Sequence, residues 1–200
     1  MHTTLTSLGS RFTSPQVHLF DHFYFQRVPE ATLQLADELT KRIAAVSRGR
    51  NTRIFSELAE LVGKVGEFVV RDYLSDYWPD RFTSYVERVN PHGGDKTDVI
   101  LYPGSLACDI KTRQLHTDDT IAPNFDLRVP YTELEKPQDC FVLAAYCPTT
   151  QYGYVLGWAT WDEVQRQPLR EDIRFPSKCL PLRELHPIQE LAGWAAGALG

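Results

Sequence analysis

Two stretches in the first half of the chain repeat apolar residues at every third or fourth position, and from Tyr85 onward the pattern changes to that of strands. Leu35, Leu39, Ile43 and Val46 fall on one face of a helix that opens at Pro29 and stops near Gly49. A second helix is predicted from about Thr52 to Tyr77, ended by Pro79, with Ile54, Leu58, Leu61, Val62, Val65, Phe68 and Val69 as its apolar stripe. Gly63 and Gly66 weaken that helix, but they let another element approach its backbone closely. The period then changes to that of strands at Tyr85–Val89, Thr97–Tyr102 and Leu106–Leu115, each bounded by Gly or Pro. Beyond a polar stretch come a short helix near Tyr131–Glu135 and two strands, Cys140–Tyr146 and Tyr152–Ala159. Thr160 and Glu163 form a capping-box pattern that opens another helix, and Ile188–Ala198 suits a last short one. Helices followed by a mainly antiparallel sheet with further helices predict an α/β fold of the α+β sandwich kind.

The first 27 residues are aromatic and irregular. Phe12, Phe20, Phe23, Tyr24 and Phe25 suggest a segment packed onto the domain. His18 and His22 stand four apart, but the run around them is not helical in pattern and offers no third ligand, so packing is the expected role. The chain is expected to be a single domain over 1–200, with residues 1–50 as a segment and helix packed on a core at 52–165.

Composition narrows the class. With 42% hydrophobic and 24% charged residues the chain has the balance of a globular protein, not a disordered one. No window approaches the roughly 18 apolar residues of a membrane span. The first ten residues lack the pattern of a secretory signal, so the expected location is the cytoplasm, without a membrane partner. Cys108, Cys140, Cys147 and Cys179 form no CxxC pair, and Cys108 and Cys140 sit in apolar strand-like runs, so free structural thiols are expected. The net charge of −5 runs against a nucleic-acid partner, whose phosphates are met by basic side chains. A hydrolytic site that holds metal through carboxylates adds acidity itself, so a binding surface need only be locally basic.

Such a site is suggested between Gly93 and Lys111. A turn around Pro103-Gly104 pairs residues whose numbers sum to 207, so Leu101 faces Leu106 and Asp98 faces Asp109. One face of this hairpin then carries Val99, Leu101, Leu106, Cys108 and Ile110, all apolar, and is the core face. The other carries Lys96, Asp98, Ile100, Ala107, Asp109 and Lys111. Two carboxylates directly across a strand pair, with β-carbons about 5 Å apart, repel unless something positive sits between them. A divalent cation removes that penalty, and hard Mg²⁺ suits one or two carboxylates with waters and phosphate oxygens.

Asp98, ten residues, then Asp109-Ile110-Lys111 resembles the motif of the PD-(D/E)xK nuclease superfamily, and Gly66-Glu67-Phe68-Val69 resembles the helical element that completes such sites. The likeness covers about Thr52 to Gln114, and the passage from Gly157-Trp158 to Val164 is compatible with it. Lys96-Thr97 precede Asp98 where the motif's name has proline. The string alone recurs by chance in about 0.4 of chains this long, at about 6% for each of Asp, Glu and Lys, so its strand-pair context carries the reading.

The resemblance implies a restriction-endonuclease-like core, a central mixed and mostly antiparallel sheet flanked by helices. It implies a Mg²⁺-dependent endonuclease acting on DNA, with Mn²⁺ able to substitute, and an enzyme of this size suits a homodimer. Its catalytic residues are then Glu67, Asp98, Asp109 and Lys111, with the metal at Asp98, Asp109, the Ile110 carbonyl and Glu67. Glu60 is a rival for the Glu67 position, which lies at the edge of the helix's apolar arc. Lys64, Arg71, Lys96 and Arg113 are candidate contacts to a phosphate backbone, each alternatively a solvated charge. The competing expectation is a nuclease-like fold that no longer cuts and serves as a nucleic-acid-binding or protein-interaction module.

Overall fold

The computed structural model describes residues 23–47, 57–89, 97–116, 121, 125–135, 138–173 and 175–197. Phe12, His18, Phe20, His22, Ile54, Gly93, Gly94 and Lys96 lie outside that range, so the expectations placed on them do too. Strand β1 (Tyr24–Arg27) leads into helices α1 (Glu30–Ser47) and α2 (Glu57–Tyr77). Strands β2 (Phe82–Ser84), β3 (Val99–Leu101), β4 (Leu106–Gln114) and β5 (Asp126–Pro130) come next. A 3₁₀ turn at Tyr131–Glu133 precedes β6 (Cys140–Cys147) and β7 (Tyr152–Thr160). The chain continues through α3 (Trp161–Arg166), β8 (Leu169–Arg170), β9 (Ser177–Pro181) and α4 (Leu191–Gly197).

Six strands form a mixed sheet in the order β1-β7-β6-β4-β3-β2, and β5-β9-β8 form a second sheet. Every neighbouring pair in the first sheet is antiparallel except β4 and β6, which run parallel. The architecture is α+β, with helices flanking a mixed sheet. β6 explains why the sheet needs two layers around it. All eight of its residues are buried, and alternate ones enter different cores. Cys140, Val142, Ala144 and Tyr146 pack with Val65, Phe68 and Val69 of α2. Phe141, Leu143, Ala145 and Cys147 pack with Leu127, Val129 and Leu180 of the second sheet. A central strand covered on both faces is apolar throughout, as this one is.

The expected hairpin register is the observed one: Val99 faces Cys108, Ile100 faces Ala107 and Leu101 faces Leu106. The capping box also forms, with Thr160 accepting from the Glu163 amide and Glu163 accepting from the Thr160 amide at 2.8 Å. One expected strand is displaced. Pairing with β3 is made by Phe82–Ser84, and Tyr85–Val89 turns away. The Tyr85 amide still donates to Asp98, but the Arg88 amide donates back to Tyr85 and closes a turn. β1, β5, β8 and β9 have no counterpart among the expected strands; they are short, and three of them have partners far away in sequence.

Helix α2 lies close to β4 because Gly66 has no side chain. A β-carbon there would stand 2.0 Å from Thr112 Oγ1, inside any permitted contact. Gly66 thus lets the helix settle against the strand and brings the next residue, Glu67, to the hairpin. Cys108, Cys140, Cys147 and Cys179 are free thiols, the first three buried.

Candidate active site

Strand alternation sends Asp109 and Lys111 away from the α2 core, on the opposite side from Cys108 and Ile110. Asp98 stands just before β3, where its amide donates to the Cys108 carbonyl at 3.2 Å. Its Oδ2 accepts from the Ile110 amide at 2.7 Å, a bond that ties the carboxylate to β4. The Asp98 and Asp109 carboxyl groups are within hydrogen-bonding reach of each other. Asp98, Asp109, Lys111 and Glu67, the four residues singled out in the sequence, therefore belong to one charged group.

A second lysine and a further glutamate complete it. Lys111 Nζ lies 2.5 Å from Asp109 Oδ2 and 2.5 Å from Glu133 Oε2. Glu133 arrives from the 3₁₀ turn after β5, and no spacing in the chain links it to Lys111. Only the crossover between β4 and β6 brings them together. Lys64 Nζ donates to Glu67 Oε2 at 2.6 Å, one helical turn away, and also reaches the Val86 carbonyl.

Of the candidate phosphate contacts, Lys64 is not a solvated charge: its side chain is only 7% exposed and its ammonium is engaged by Glu67. Arg71 is likewise committed, to Asp72 at 2.7 Å and Glu87 at 2.9 Å, and it stacks over Phe68. Arg113 pairs with Asp126. Lys96 lies outside the described residues. Glu60, the rival to Glu67, is close enough to act on both Lys64 and Glu67 through its charge, while Glu67 is the one that binds Lys64.

The electrostatics reflect burial and charge balance. Burial, opposed by Lys64, raises the Glu67 carboxyl from its ordinary range to about 7, with Glu60 and Asp109 adding to the rise. Burial also raises Asp98 well above the usual carboxylate range, helped by the charges of Glu67 and Asp109 and opposed by the Ile110 amide. Asp109 is raised by burial against the pull of Lys111. Burial lowers the Lys111 ammonium, but Asp109 and Glu133 outweigh it and the net shift is upward, so this lysine stays protonated. The same contest, with Glu67 prevailing over burial, raises Lys64.

Among the described residues, no three His, Cys, Asp or Glu side chains stand in metal-holding geometry. The donor chemistry nonetheless fits a hard cation. Two adjacent carboxyl groups and a third carboxylate acting on both are all oxygen donors. Four carboxylates face two ammonium groups here, and the acids are raised first by burial and then by one another's charge.

A cleft on the described surface lies at the other end of the hairpin. Its volume is about 520 Å³, and Tyr77, Trp78, Arg81, Tyr102 and Gly193 are among its walls. It contains none of the charged group. Among the described residues, no helix is long and apolar enough to cross a membrane. No protein-family model matches the chain, and no curated protein or solved structure does either.

Proposed function

We propose that the chain is a Mg²⁺-dependent phosphodiesterase of the PD-(D/E)xK type, with a restriction-endonuclease-like core, that cleaves DNA. One observation carries this reading: Asp98 and Asp109 meet across a hairpin beside a protonated lysine, with Glu67 delivered by a helix that Gly66 allows to come close. Asp98 and Asp109, with the Ile110 carbonyl and Glu67, would hold the cation. When bound, Mg²⁺ polarises a phosphoryl oxygen and lowers the pKa of its water.

The chain's own groups divide the remaining work. Lys111 is kept cationic by Asp109 and Glu133, so it serves as a fixed positive charge beside the scissile phosphate and not as a base. A group of that kind stabilises the charge that grows in the transition state. Glu67, whose carboxyl is raised to about 7 in the metal-free chain, would be ionised when the cation is held. Lys64 fixes the direction in which Glu67 points.

The direct test is incubation with supercoiled plasmid and with single-stranded DNA, with and without Mg²⁺ or Mn²⁺. Metal-dependent nicking that disappears in Asp109→Asn is the expected result. Equal cleavage by Asp109→Asn removes the site assignment.

One observation favours a second reading, a nuclease-like module that binds without cutting. Glu67 and Asp109 already have internal cationic partners, so the acids are partly neutralised by lysine alone. Calorimetric titration with Mg²⁺ and Mn²⁺ separates the two. Heat of binding that is lost in Asp98→Asn supports the enzyme, and its absence in the wild type supports the silent module.

A further inference from the structure

Two positions beyond Lys111 on the same face of β4, Arg113 opens a second charged group of opposite balance. Its guanidinium pairs with Asp126 on β5, and Nη1 also donates to the Asp126 carbonyl at 3.3 Å. Arg128 donates from Nε to Asp126 Oδ1 at 2.7 Å, and Arg170 Nη1 lies 3.8 Å from Oδ2. Three arginines from β4, β5 and β8 thus converge on one aspartate. Strand registers place Arg128 opposite Cys179 and Arg170 opposite Ser177, so Asp126, Arg128 and Arg170 share a face of the second sheet. Leu127, Val129 and Leu180 fill the other face, within the core.

The anchor is buried and the cations are not. The Asp126 side chain is 7% exposed, while Arg128 and Arg170 keep 39% and 42%. Arg113 is braced on the Phe125 ring, 4.8 Å from its centroid. Asp172 accepts from both Nε and Nη2 of Arg170, at 3.1 and 2.7 Å, which leaves three guanidinium groups to two carboxylates. That local excess stands out in a chain of net charge −5.

We propose that Arg113, Arg128 and Arg170, aligned by Asp126, bind the backbone phosphate next to the one cleaved. Asp126 binds Arg113 and Arg128 through Oδ1 and attracts Arg170 from 3.8 Å. The Arg128 N–H groups not used by Asp126 meet the phosphate oxygens, with Arg170, shared with Asp172, as a second charge beside them. Planar guanidinium forks suit phosphate geometry better than ammonium groups do. Two residues along β4 separate Lys111 from Arg113 by about 6.6 Å, so the arginine group adjoins the acidic one. The identity of the ligand rests on the phosphodiesterase reading; the arginine group itself does not.

The test is fluorescence anisotropy of the full chain with a labelled duplex, without divalent metal, across a series of salt concentrations. Arg128→Ala combined with Arg170→Ala is expected to weaken binding about tenfold or more and to reduce the salt slope by about 1. Arg128→Lys keeps the charge and loses the fork, so it should retain most of the slope with an intermediate affinity. Circular dichroism and thermal unfolding of the same variants establish that the fold persists.

Unchanged affinity and slope in a folded double variant overturns the proposal, as does a wild-type chain that binds no duplex at low salt. Should the wild type bind with an arginine-dependent slope yet never cleave, the phosphate site stands and the nuclease reading falls. Cleavage by the wild type with an arginine-independent slope has the reverse meaning.

Discussion

Two charged groups sit side by side on strand β4, and they solve opposite problems. Around Asp109 and Lys111, four carboxylates share two ammonium groups in a largely buried cluster. Around Arg113, three guanidinium groups share Asp126 and Asp172. In the first group the acids are pushed up, Glu67 to about 7, because removing charge from water is costly and too few cations repay it. In the second, one buried acid is surrounded by cations that reach solvent. A few ångströms along one strand are enough to pass from an excess of carboxylate to an excess of guanidinium. On the proposed reading, a polynucleotide phosphate together with a metal ion would meet both.

The largest effect expected from this contrast falls on the acidic group. Lys111→Ala should reduce Mg²⁺-dependent cleavage by about 10²–10³-fold or more, measured as plasmid nicking, with far less effect on duplex affinity. An affinity loss as large as the activity loss would mean that Lys111 binds DNA in its ground state, and the two groups would then have the same role.

Next comes the contact that brings Glu67 to the site. Gly66→Ala places a methyl group 2.0 Å from Thr112 Oγ1. Helix and strand must separate, at a cost of about 1–3 kcal/mol, visible as a lower Tm. Activity should fall along with stability while the salt slope of duplex binding survives, because the arginine group does not involve α2. A stability equal to wild type would show that the close approach is not needed.

A pH effect of similar or smaller size separates the groups by titration. Glu67 binds a proton up to about 7 when folded but only to about 4.5 when unfolded. Between those values the folded state holds more protons, so the stability of the metal-free chain falls as pH rises. The raised Asp98 and Asp109 act in the same direction. A bound divalent cation favours the ionised acids, so Mg²⁺ should flatten or invert the trend. Thermal unfolding across pH 4 to 8, about the window of these shifts, with chelator and then with Mg²⁺, reads this directly. A metal-free stability that rises through that window would contradict the burial of the acids.

The smallest effect serves as a control. Thr160→Ala removes half of the capping box on α3, away from both groups, and should cost about 1 kcal/mol. Cleavage and salt slope should stay at wild-type values once the temperature is well below Tm.

The hairpin is legible in the sequence for a simple reason. Its turn is short, its alternation is strict, and a slip by one residue would put Asp98 and Asp109 into the core in place of Val99 and Ile110. The same holds for helix α2, whose stripe is long and regular, and for the Thr160–Glu163 cap, whose chemistry is local. Tyr85–Val89 misleads because its residues favour a strand while the available partner, β3, spans only three residues and pairs with Phe82–Ser84 instead.

What the sequence determined by itself is which side chains share the hairpin's polar face, since that depends only on strand alternation and a nearby turn. Tertiary structure decided the rest of the electrostatics. Glu133 meets Lys111, and Arg113 and Arg170 converge on Asp126, through contacts that no local spacing encodes. Charge acts through space and burial depends on the whole fold, so composition states how many charges there are, and only packing states which of them are left without a counterpart.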